Sequence, residues 1–118
     1  MTSRDERGVM TTFAVVAAGV IVLFALVATE MAGLVAVRHR AASAADLAAL
    51  SASRASVSGQ DGCDVAERTA RLNHATLVTC RMDHDVATVT ARTTSRRWWG
   101  HRWSAQIPAR AAPVSYLG

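Results

Sequence analysis

Residues 9–29, VMTTFAVVAAGVIVLFALVAT, contain 21 positions and not one charge. Glu30 interrupts the run and residues 31–37 resume it. A bilayer's hydrocarbon layer is roughly 30 Å thick and asks for about 20 consecutive apolar residues in a helix, so this segment is long enough to span. It also distorts the composition. Hydrophobic residues make up 51% of the 118-residue chain, but much of that share is spent here. The remainder, from Arg38 on, has ordinary polarity, and a core that small is marginal without a staple or a partner.

A secretory signal has a basic leader, an apolar stretch of about 7–15 residues and a nearby small-x-small cleavage site. The leader MTSRDERG is mixed in sign, and the apolar run is too long. LVA at 26–28 is a poor cleavage site, and ASA at 42–44 follows the charged RHR. A permanent single-pass anchor is therefore expected. Arg4 and Arg7 flank one side and Arg38 and Arg40 the other, so charge asymmetry does not orient it. Glu30 is costly at the edge of a bilayer unless it reaches the interface or pairs. It is read either as marking the outer interface or as a helix-pairing charge that meets a neighbouring helix in an assembly.

The helical pattern continues past the apolar run. In AASAADLAALSASRA, Ala41, Ala44, Ala45, Ala48, Ala52 and Ala55 recur at steps of three and four, with Leu47 beside them. These are strong helix formers with a small-residue face. Neither Gly nor Pro intervenes after Gly33 until Gly59. One helix over residues 9–57 would be about 70 Å long. Its small face is expected to let a partner helix approach closely.

The rest reads as a small αβ head. VSGQDG, residues 57–62, is a turn. A short helix follows, with Asp64 as candidate N-cap, Glu67 at capping-box spacing, and an apolar stripe of Val65, Ala66, Ala70 and Leu72 ending near His74. ATLVTCRM and VATVTART alternate around DHD at 83–85 and predict a β-hairpin. In the first strand Leu77 and Thr79 are assigned to one face, Val78 and Cys80 to the other. SAQIPARAAPV is a candidate third strand that Pro108 confines to an edge. The fold class is thus α+β: a long N-terminal transmembrane helix, then one short helix and a two- to three-stranded antiparallel sheet. The expected division is a polar leader 1–8, a transmembrane helix 9–37, an Ala-rich helical extension 38–57 and a head 58–118.

Cys63 and Cys80 are the only cysteines. In a small exported domain an even number argues for a disulfide. Here it would pin the short helix to the first strand and place the head outside the cytoplasm. All 13 basic residues are Arg, and the formal charge is +4, enough for contact with an anionic surface without implying nucleic acid. RRWWGHRW, residues 96–103, gathers Arg96, Arg97, Trp98, Trp99, Arg102 and Trp103. Such a cluster suits a folded-back hairpin tip, a membrane-interface or protein contact, or stacked bases. His84 with its flanking acids is too small a set for a metal site. Nucleophile elbow, phosphate loop and HExxH patterns are absent. Neither enzyme activity, nor a cofactor, metal or small-molecule substrate is expected.

The Arg-Gly leader, apolar helix, RHRAASAADLAALSA at 38–52 and a cysteine-bearing head together resemble the TadE/TadG-like proteins of the Flp (tight adherence) pilus neighbourhood. The likeness is greatest to the short, secretion-linked TadE-like branch of high-G+C Gram-positive bacteria. The resemblance implies a pilin-like helix with a small head, acting as a minor pilin or pseudopilin among other pilus or secretion components. It places Gly8 where a prepilin peptidase would cut and Val9 as the new N-terminus. The Glu of that pattern would stand at the fifth mature position, where this chain has Phe13. An uncleaved anchor is therefore expected. The other readings are a surface-displayed nucleic-acid-binding minor pilin and an accessory membrane subunit of a secretion complex.

Overall fold

The computed structural model describes residues 2–95 and 102–114. The elements, in chain order, are α1 (Thr2–Val57), α2 (Gly62–Leu72), β1 (Thr76–Asp83), β2 (Val86–Thr94) and β3 (Ser104–Ala111). The class is α+β, as expected. The helix begins earlier than residue 9, running back through the leader. The chain divides into two compact units, Met1–Gly33 and Leu34–Gly118.

The first unit is helix alone. Nothing covers it: from Glu6 to Gly33 every residue is exposed except Ala17, which is partly so. Its threonines return their hydroxyls to the helix. Thr11 donates to the Arg7 carbonyl at 2.9 Å, Thr12 to Gly8 at 2.9 Å and Thr29 to Ala25 at 2.8 Å.

In the second unit the last part of α1 and all of α2 lie on one face of a three-stranded antiparallel sheet ordered β1-β2-β3. The core is built from small side chains. Among the described residues thirteen of the sixteen buried hydrophobic ones are alanine, the rest Val37, Val86 and Val89. Ala44, Ala45, Ala48, Ala49 and Ala52 of α1 meet Ala66 and Ala70 of α2 and Ala87, Val89 and Ala91 of β2. The α1 face expected to receive a partner helix therefore receives the chain's own sheet. Alanine brings little transfer energy but lets backbones approach closely. The sharpest approach is at Gly62, where a Cβ would lie 2.9 Å from the Ala52 carbonyl oxygen.

Both helices end in the same way. Gly59 (φ 80°) follows α1 in the left-handed conformation. Its N–H donates to the Ser56 carbonyl and that of Gln60 to Ala55. His74 (φ 57°) does the same after α2, with N–H groups of His74 and Ala75 donating to Arg71 and Ala70. This paired pattern satisfies the last free carbonyls of each helix. At the other end of α2 the cap is Asp61 and not Asp64. The Asp61 carboxylate accepts from the N–H groups of Cys63 at 3.0 Å and Asp64 at 3.4 Å. Asp64 then falls in the first turn, and Glu67 pairs with Arg71 at 2.7 Å instead of closing a capping box. The buried stripe is Gly62, Ala66 and Ala70, a strict step of four that leaves Leu72 exposed.

The hairpin is as expected, with His84 and Asp85 alone forming its turn. The faces of β1 are not. The register passes from Leu77↔Ala91 to Thr79↔Thr90, which inserts Val78 as a bulge. A bulge adds one residue and reverses the alternation beyond it. Leu77, Cys80 and Met82 therefore all turn to the core, and Val78 and Thr79 are exposed. β3 occupies an edge, and Pro108 pairs there with Thr90, where a missing N–H is tolerated.

Candidate functional site

Three sets of residues bear on function. The first is the bare part of α1. Fourteen large hydrophobic residues between Val9 and Val35 are exposed to between 46% and 75%. At about 1.5–3 kcal/mol for each fully buried side chain, leaving them in water forgoes on the order of 20 kcal/mol. The helix is long and apolar enough to cross a membrane. Its hydroxyls are already bonded internally, which is what a lipid-facing segment requires. Glu30 stands exposed on this helix and is in no ion pair among the described residues. Gly8 and Val9 are both helical and exposed. The Gly8 carbonyl accepts the Thr12 hydroxyl, and nothing lies within 4 Å of a Cβ built on Gly8.

The second is the staple. Cys63 and Cys80 form a disulfide with their Cα atoms 5.8 Å apart. Cys63 sits in the first turn of α2 and Cys80 in the middle of β1. The bulge at Val78 is what turns Cys80 inward to meet it. Ser53 and Ser56 of α1 fasten the opposite end of the hairpin. Ser53 donates to the Asp85 carbonyl at 2.7 Å and Ser56 to the Asp85 carboxylate at 2.9 Å.

The third is the connection between β2 and β3. Arg96, Arg97, Trp98 and Trp99 lie outside the described residues. Arg102 and Trp103 are described and exposed, Trp103 to 42%. The ends of the connection are tied together. The Ser95 N–H donates to the Trp103 carbonyl at 2.7 Å, and the Trp103 N–H to the Ser95 hydroxyl at 3.0 Å. β3 begins beside Val37 and Ala41, which pack with Ala105 and Ile107. This puts Arg102 and Trp103 at the same end of the unit as Arg38 and Arg40, both exposed. Sequence reasoning treated these two pairs separately, because only the long-range register of β3 brings them to one end.

Among the described residues no group of three or more His, Cys, Asp or Glu could hold a metal. A shallow groove between α1 and α2, lined by Leu47, Leu50, Arg54, Val65 and Thr69, was not foreseen. Leu47 and Leu50 are less than half exposed there and sit just off the buried alanine face.

No curated protein and no solved structure matches the chain. The family model described as Flp pilus-assembly TadE/G-like matches residues 8–57. That span is α1 from Gly8 to its last residue, with α2 and the sheet outside it. The resemblance carried by the sequence is thus borne out over residues 8–57, which are similar to the TadE/G-like Flp pilus-assembly family.

Proposed function

We propose that this protein is a membrane-anchored structural component of Flp-type pilus assembly, a minor pilin or pseudopilin-like subunit without enzymatic activity. One observation carries the reading: the helix that matches the pilus-assembly family is also the one whose bulky apolar surface is left bare. In this reading residues 1–8 form the leader, 9–37 the transmembrane helix, 38–57 its extension and 58–118 the head. The head lies outside the cytoplasm, where a Cys63–Cys80 disulfide persists. Phe13 in place of the acid that follows a prepilin cleavage site supports an uncleaved anchor. Contacts with other pilus or secretion components then run through α1, with Glu30 as a pairing charge.

The test is the intact mass of the native protein extracted from cell envelopes, together with its presence in sheared surface fibres. A full-length mass in the membrane fraction supports the anchor. A mass beginning at Val9, with recovery in fibres, replaces the anchor by a processed filament subunit. Recovery of the protein in the soluble fraction would refute the membrane role altogether.

A further inference from the structure

We propose that the end of the second unit where α1 enters it is a lipid-headgroup contact, in which Arg38, Arg40, Arg102 and Trp103 seat on an anionic membrane surface. This rests on the membrane-anchored reading above and adds to it a surface and a ligand chemistry.

The argument begins with the two ends of the unit. Val37 lies against Ala105 and Ile107, whereas Ser53, sixteen residues on, bonds to Asp85 at the hairpin turn. These points are about 24 Å apart along the helix. β2 covers about the same distance between Val86 and Thr93. The ends differ in charge. Asp83 ends β1 and Asp85 lies in the hairpin turn, and Asp61 caps α2 next to Gly62, which abuts Ala52 and Met82. At the opposite end residues 31–45 contain no acid, and none follows Asp85 anywhere in the chain. Arg38, Arg40 and Arg102 are exposed there, and none is in an ion pair among the described residues.

Leu34 opens this unit and directly continues the apolar run. The chain therefore passes from the apolar run into this unit at its basic end, which keeps that end within reach of the bilayer by covalent connection. Arg pairs with lipid phosphate through a planar fork of donors. Trp prefers the level of the headgroups, where its ring is half in hydrocarbon and its N–H is satisfied. The two hydrogen bonds between Ser95 and Trp103 hold Trp103 at the mouth of the connection. Occupancy is favoured by proximity, since the anchor keeps the surface within reach at all times.

The test uses the full chain reconstituted in vesicles. Trp98→Phe with Trp99→Phe leaves Trp103 as the sole tryptophan. Its emission is measured with lipids brominated near the headgroup, in zwitterionic vesicles and in vesicles containing phosphatidylglycerol. Trp103 is expected to be quenched in the anionic vesicles, and the quenching to fall as salt is raised. Each Arg near an anionic surface biases docking by about five-fold. Adding R38A, R40A and R102A should then lower the docked-to-free ratio by about two orders of magnitude. Anchoring is read separately, by resistance to alkaline carbonate extraction. A chain that resists extraction while Trp103 stays unquenched overturns this proposal and leaves the anchor standing. Quenching equal in both vesicle types and insensitive to salt also overturns it. Release by carbonate refutes the anchor, and this proposal with it. The salt series needs no Arg substitution, so it decides the matter even if the triple variant does not fold.

Discussion

Gly62→Ala is the substitution whose effect follows most directly from the packing. A Cβ there would lie 2.9 Å from the Ala52 carbonyl oxygen, 2.9 Å from Met82 Sδ and 3.1 Å from its Cε. The two obstacles are unequal. Met82 is unbranched and half-buried, and can turn its sulfur away. The Ala52 carbonyl belongs to the α1 backbone and cannot move without the helix. α2 must therefore retreat by a few tenths of an ångström, although the next residue, Cys63, is bonded to Cys80 on the sheet. Overpacking of this kind costs about 1–3 kcal/mol. The helix-propensity gain of Ala over Gly, at most about 1 kcal/mol in a helix interior, is smaller at the first position. The net expectation is a loss of about 1–2 kcal/mol. Amide hydrogen exchange of β2 in the full chain, held in mild detergent, should accelerate by about 5- to 30-fold. Met82→Ala separates the obstacles. If the carbonyl dominates, the costs of Gly62→Ala and Met82→Ala add to within about 0.5 kcal/mol. If the double variant is markedly better than that sum, the sulfur was the obstacle. Exchange unchanged by Gly62→Ala alone would refute the close approach of α2 to α1.

The other local predictions are simpler. Replacing both Cys63 and Cys80 with Ser should cost about 3 kcal/mol for a loop of this length, read as a lower urea midpoint that reductant no longer changes. Ser53→Ala removes the buried hydroxyl that donates to the Asp85 carbonyl. It should cost about 1–2 kcal/mol, visible as a lower thermal midpoint. His74→Gly should gain about 1 kcal/mol by relieving the left-handed residue that closes α2. A lower thermal midpoint for that variant would mean the His74 side chain contributes more than its backbone costs.

The parts of this fold that follow a local period were legible in the sequence. The three- and four-residue recurrence of alanine from Ala41 to Ala55 gives both the helix and its buried face. Alternation on either side of residues 83–85 gives the hairpin. What a local period cannot supply is the partner of a face or the phase of a strand. The alanine stripe says that something small-faced packs there, and a helix from another subunit satisfied the pattern as well as the chain's own sheet. In β1 the alternation holds on both sides of Val78 but changes phase across it, because Leu77 and Cys80 must both reach the core. Asp61 and Asp64 each fit the rule for a helix cap. The choice is made by Gly62, which has to be the first helical residue in order to lie against Ala52. The Trp/Arg segment was conspicuous by composition alone. The place of Arg102 and Trp103 at the same end of the unit as Arg38 and Arg40 depends on strand pairing across the sheet, a relation no short window contains.

The distribution of side-chain size along α1 gives a last test of the whole scheme. Between Val9 and Val35 the large exposed hydrophobic side chains are Val, Ile, Leu, Phe and Met. From Val37 to Ala55 the buried surface is almost entirely alanine. Lipid accommodates bulky, flexible apolar groups without a fixed shape. A sheet packed on a helix at alanine distance has a fixed shape and no spare volume. The same substitution should then have opposite consequences in the two parts. Ala48→Leu, at a fully buried position between α1 and β2, should overpack the core and cost at least about 1–3 kcal/mol. It should appear as faster exchange in β2. Ala28→Leu, at an exposed position on the apolar run, should leave β2 exchange unchanged and strengthen retention in the membrane. If Ala48→Leu were tolerated as easily as Ala28→Leu, the alanine face would not be packed on the sheet. The face would then be free for another subunit, as the sequence alone had suggested.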